Sequence, residues 1–99
     1  MLGVQMKQPA DQRDYGLDFS PWLPDGDLVT TAEATVSPAY DPVDNPDGVQ
    51  IESTQLNGLE VKVWLSGGVS GKTYKITVVA ATAGGRVKEV DFQLRVKDC

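Results

Sequence analysis

The 99-residue chain contains no histidine and a single cysteine, at its last position. Without histidine, the usual acid/base groups and hydrolytic triads lose their commonest member. A Cys/His zinc site and an intrachain disulfide framework are excluded as well. Cys99 has no evident neighbour to lower its pKa, so it reads as a terminal thiol able at most to form disulfides between chains. No run approaches the ~20 apolar residues of a membrane span. Residues Met1 to Gln8 lack a basic segment followed by an apolar one, so no secretory signal is expected, and synthesis is expected in a reducing, intracellular compartment. There is no GxxxxGK[ST] loop, and Gly67-Gly68 and Gly84-Gly85 lie between extended segments, which argues against a phosphate cradle. A glycosidase-like carboxylate pair would need a cleft that a domain this small is not expected to hold. No catalytic residue, metal or cofactor is assigned, and the chain does not read as an enzyme.

Helical periodicity is missing too. All six prolines fall at or before Pro46, with Gly and Asp between them, and no 3.6-residue apolar stripe persists there. What is present is alternation with period two. Tyr15, Leu17 and Phe19 start a first strand that ends at Ser20-Pro21, and Trp22 to Asp27 form a Pro/Gly turn. A second strand runs from Leu28 to Val36, with Leu28, Thr30, Ala32, Ala34 and Val36 expected inward. A third covers Val49 to Gln55 and meets a tight turn at Asn57-Gly58. From Leu59 the pattern is clean: Leu59, Val61, Val63 and Leu65; then Tyr74, Ile76, Val78 and Ala80; then Val90, Phe92, Leu94 and Val96. Six to seven strands separated by turn signals predict an all-β, immunoglobulin-like β-sandwich over residues 13–97, preceded by an extended N-terminal arm, residues 1–12. Tyr74 stands near the start of the penultimate strand, two residues before a core position at Ile76. This is the place of a tyrosine corner, a structural tyrosine bonding back upstream.

The net charge of −5 is uneven: residues 1–50 carry −7 and residues 51–99 carry +2. An acidic chain is not expected to bind nucleic acid or anionic membrane. An acidic part meeting a basic part of a neighbouring copy would steer and register an assembly. The acidic connection from Ser37 to Gly48 does not suit an EF-hand. Counted from Asp41, Asn45 and Glu52 fall at positions 5 and 12, but Val43 and Pro46 occupy positions 3 and 6. A looser site from Asp41, Asp44 and Asp47 is outweighed by the reading of a solvated Asp/Pro loop. The candidates for partner contact are Lys7 and Asp11 in the arm, Tyr15 in the first strand, and the two tryptophans. Trp22 sits in a Pro-flanked turn, where it would cap one end of the core. Trp64 shares a strand face with Glu60, Lys62 and Ser66, either packing on loop residues there or anchoring an interface.

Several stretches in this order resemble the fiber-tail adaptors of tailed bacteriophages. They are Asp14-Tyr15-Gly16-Leu17-Asp18-Phe19-Ser20-Pro21-Trp22-Leu23 with Asp25-Gly26-Asp27, then Val63-Trp64-Leu65-Ser66-Gly67-Gly68, Ser70-Gly71-Lys72-Thr73-Tyr74 and Thr82-Ala83-Gly84-Gly85-Arg86. The likeness runs from about Lys7 to Lys97 and departs at the long acidic loop from Tyr40 to Gly48, and at Ala34-Thr35-Val36, which lacks a bulky aromatic. The resemblance implies a virion structural protein made in the bacterial cytoplasm. It would be a connector between the portal or tail tube and the tail fibers, present as a homo-oligomeric ring of copies. On the residues alone, a capsid decoration protein or a carbohydrate-binding sandwich module stays open.

Overall fold

The computed structural model describes residues 4–8 and 10–97; Cys99 lies outside the described residues. Seven strands are present: β1 (Val4–Lys7), β2 (Arg13–Asp18), β3 (Val29–Ser37), β4 (Gln50–Asn57), β5 (Glu60–Ser66), β6 (Thr73–Thr82) and β7 (Val87–Val96). They form two sheets, β2-β5-β4 and β1-β7-β6-β3. This is the strand order of an immunoglobulin constant-type domain whose first strand has joined the far edge of the opposite sheet. β1 pairs with β7 in parallel, and every other pairing is antiparallel.

The alternation explains the layers. Val61, Val63 and Leu65 are fully buried, as are Ile76, Val78 and Leu94, with Phe92 and Tyr74 at 1 % exposure. Their strand neighbours face outward, so each sheet turns one apolar face to the other, as strand geometry requires. Tyr15 stacks at a tilt on Phe92, ring centroids 5.9 Å apart, and joins the inner faces near β1. The β4–β5 hairpin closes with Gly58 at φ +64, a left-handed conformation that glycine adopts without steric cost.

Two expectations from sequence change here. At the start of β3, Val29 is buried while Leu28 and Thr30 are exposed, the reverse of the expected phase. The cause is a register shift between Val29 and Thr31: a bulge inserts a residue and flips the face of everything before it. The second change concerns the N-terminal arm, which the sequence reading places as an extended segment ahead of the sandwich. Its residues 4–7 instead pair with the chain's own β7 as β1.

Near the other end, Tyr74 Oη accepts the Val69 backbone N–H at 3.0 Å. It thereby fixes the loop that enters β6. Leu65→Ala is expected to lower unfolding free energy by about 2–5 kcal/mol through the cavity it leaves. Tyr74→Phe should cost about 1–2 kcal/mol by leaving the Val69 N–H without its acceptor. Urea denaturation of both variants checks this, and midpoints equal to the parent's would contradict the packing described.

Candidate functional site

One end of the sandwich gathers the turn after β2, the β4–β5 hairpin and the β6–β7 hairpin. The chain leaves β2 through Phe19, fully buried, whose N–H donates to Leu59 O at 2.8 Å. A single 3-10 turn follows over Ser20–Trp22, with Pro21 supplying a backbone angle suited to its start. Asp18 Oδ1 accepts the Ser20 N–H at 2.9 Å, and that bond holds the Asp18 carboxyl below its usual pKa. Trp22 lands edge-on against Phe19 at 5.7 Å, and Lys88 Nζ sits 5.4 Å from its ring centroid. The ring thus covers the end of the core while 37 % of the residue stays exposed.

Asp27 locks the turn to the β6–β7 hairpin. Its Oδ1 accepts the N–H groups of Leu28 and Gly84, each at 3.0 Å, and its Oδ2 lies 3.4 Å from Arg86 Nη1. Thr82 contributes a further hydrogen bond, and its Oγ1 also accepts the Arg86 N–H at 3.1 Å. Burial by itself would raise the Asp27 pKa. The hydrogen bonds from Thr82, Gly84 and Leu28, with the charge of Arg86, outweigh it and hold the carboxyl below the ordinary range. Gly84 allows the approach: a Cβ there would stand 3.2 Å from both carboxylate oxygens. The Asp25–Asp27 and Thr82–Arg86 segments, far apart in sequence, therefore meet in one cluster. Neither Asp27 nor Arg86 was singled out from the sequence, since nothing local pairs a turn aspartate with an arginine in another hairpin.

Around this cluster lies a shallow cleft of about 370 Å³ lined by Pro24, Asp25, Gly26, Ala83 and Arg86, among others. Leu28 and Val87, 53 % and 69 % exposed, stand at the same end as Trp22. The arrangement offers apolar surface beside a half-exposed guanidinium, which suits contact with a protein surface carrying apolar groups and hydrogen-bond acceptors.

The remaining sequence candidates are dispersed. Lys7 is buried, and its Nζ donates to Gln8 O and Gly67 O, both at 2.6 Å. Burial pushes its pKa down, opposed by the charge of Asp11. Asp11 is half-buried, its N–H donating to Gln8 O at 3.1 Å. Tyr15 is buried and donates to Met6 O at 3.0 Å. Burial raises its pKa, with Arg13 opposing and Asp11 and Asp14 adding. These three residues secure β1 and the segment after it. Trp64 lies half-buried on the outer face of β5, its Nε1 enclosed with no hydrogen-bond partner among the described residues. In the acidic loop, Asp41 Oδ1 accepts the N–H groups of Val43 at 2.7 Å and Asp44 at 3.0 Å. Among the described residues, no group of three or more His, Cys, Asp or Glu side chains is placed to hold a metal ion.

Because the Asp27 pKa is depressed in the folded state, its stabilising effect is present above the unfolded carboxylate value, about 4, and is lost as pH falls through the folded one. Asp27→Asn should therefore melt below the parent at pH 7, and the gap should narrow steadily below about pH 4. Thermal melts across this range measure it, and a gap independent of pH would contradict the clamp.

Comparison with protein families matches this chain over residues 7–95 to the family described as podophage GP4 fiber-tail adaptor protein gp77. The matched region takes in the whole Asp27–Arg86 cluster, both tryptophans and Tyr74. No curated protein matches the chain. The chain belongs to the podophage fiber-tail adaptor family.

Proposed function

We propose that the protein is a non-enzymatic structural adaptor of the phage virion, joining the portal or tail tube to the tail fibers as a ring of copies. The observation that carries this reading is the family match across residues 7–95. The turn end adds to it, because Trp22, Leu28 and Val87 offer exposed apolar surface on a rigidly clamped frame. A clamped frame keeps such side chains in place before binding, which lowers the entropic cost of association. In this reading the turn end meets a fiber or tube component, with Trp22 as its aromatic anchor. Residues 13–97 form the body, and residues 1–12, of which 4–7 complete the four-stranded sheet, remain a segment whose removal can be tested separately. Against a sugar-binding module, Lys88 stands over the Trp22 ring, where a sugar would need to stack.

Leu28→Glu combined with Val87→Glu changes two exposed side chains and should leave folding within about 0.5 kcal/mol per site. Phage complemented with this variant should carry about tenfold less fiber protein per particle than phage complemented with the parent. Gel quantification of purified particles gives the answer. Parental fiber content with normally folded variant would remove the turn end from the fiber or tube contact.

A further inference from the structure

Charge in this molecule is divided by surface patch rather than by half of the chain. On β2 and β5, the buried Tyr15, Leu17, Val61, Val63 and Leu65 leave Asp14, Asp18, Glu60 and Lys62 pointing outward with Trp64. Lys62 is matched by Asp14 at 3.6 Å. Asp18 and Glu60 stand directly opposite each other in the β2–β5 register. Like charges at such a pair destabilise an isolated sheet. Glu52, exposed at the β4 bulge, adds another carboxylate to this side.

The outer face of the four-stranded sheet is different. At its end away from the turn cluster, Lys75 and Arg95 face outward, with Lys97 two residues beyond Arg95 and Lys72 at the rim. Asp91 meets Lys75 at 3.4 Å. Among the described residues, no carboxylate pairs with Lys72, Arg95 or Lys97. Met6 lies beside Arg95 in register and Val4 beside Gln93, and both are nearly half exposed. Toward the turn end the same face becomes acidic, through Glu33 and Glu89. The basic character is therefore a corner, bordered by apolar β1.

The geometry points to a second copy of this chain as the occupant of both surfaces. The acidic outer face of β2 and β5, around Trp64, binds the basic corner of β6 and β7, beside Val4 and Met6, on the next copy. The two surfaces lie on opposite sides of the sandwich, so the contact is heterologous and passes from copy to copy, which generates a ring when the rotation closes. The cations of one copy offset the Asp18/Glu60 repulsion of the next, and Trp64, Val4 and Met6 supply apolar contact that charges alone do not. This proposal deepens the ring reading given above by naming the faces that meet.

The test uses the full chain in sedimentation velocity at about 0.05 M and about 1 M salt, where screening is weak and then nearly complete. The parent should associate at low salt and dissociate at high salt. Lys72→Glu with Arg95→Glu makes both surfaces acidic, and Asp14→Lys with Glu60→Lys makes both basic. Each variant alone should show an apparent Kd at least about tenfold weaker than the parent's. An equimolar mixture of the two should associate again, because acidic and basic copies can alternate. All four positions are exposed, and melting curves verify that the variants are folded. A parent that stays monomeric at low salt, variants that associate like the parent, or a mixture that stays apart would each overturn the proposal. Fiber content of Leu28/Val87-substituted particles is an independent readout, so the turn-end reading and the face-to-face reading can fail separately.

Discussion

The packing of β5 against β6 and β7 sets almost everything else. Val61, Val63 and Leu65 on one side, and Ile76, Val78, Phe92 and Leu94 on the other, are buried to within 1 %. Strand side chains alternate strictly, so fixing these residues inward leaves no choice about the others. Trp64 and Lys62 must face out on one sheet, and Lys75 and Arg95 on the other. A slip of one residue in any of the three strands would bury a charge and expose a valine or leucine. The surface chemistry is thus a consequence of the core, held in place by its apolar burial.

Where the alternation ends, polar clamps take over. At the turn end the carboxylate of Asp27 ties the β2–β3 connection to the β6–β7 hairpin through backbone N–H groups and Arg86. At the opposite end the ammonium of Lys7 holds Gly67 O, the Tyr15 hydroxyl holds Met6 O, and the Tyr74 hydroxyl accepts from Val69. A buried charge is tolerable only when it is hydrogen-bonded, and both Asp27 and Lys7 meet that requirement with main-chain partners. Main-chain partners suit this role, because their positions are fixed by the sheets and cost little further ordering. The connections at either end are consequently held by the same framework as the strands.

The sequence displayed the phase of β5, β6 and β7 openly, because each carries at least three inward residues in unbroken alternation. β3 was legible only from Ala32 onward. Its opening residues depend on a bulge, and nothing in Leu28-Val29-Thr30-Thr31 marks which residue will go unpaired. β1 was illegible for another reason: its two apolar residues, Val4 and Met6, are exposed and only Lys7 of its four residues is buried, so its alternation runs opposite to the core. Its anchor is a bond to a carbonyl 60 residues away. The Asp27–Arg86 cluster was hidden in the same way, by a separation of 59 residues. Its two segments were visible only as parts of the family resemblance, which supplied their order without their contact.

A connector needs surfaces that do not interfere with one another, and the dimensions of this molecule meet that need. The described chain measures 41 × 26 × 19 Å, so even its shortest dimension is about twice the Debye length of about 8 Å at physiological ionic strength. Charges on the acidic face therefore do little to neutralise the basic corner of the same molecule. Both stay available to other molecules, and self-attraction across the sandwich cannot use them up. The turn end lies along the strand direction, away from that basic corner. Energetic effects of changes separated by more than about 7–10 Å, with no shared partners, add nearly independently. Contacts between copies and contacts with other components of the particle can thus be strengthened or weakened separately on a domain of this size.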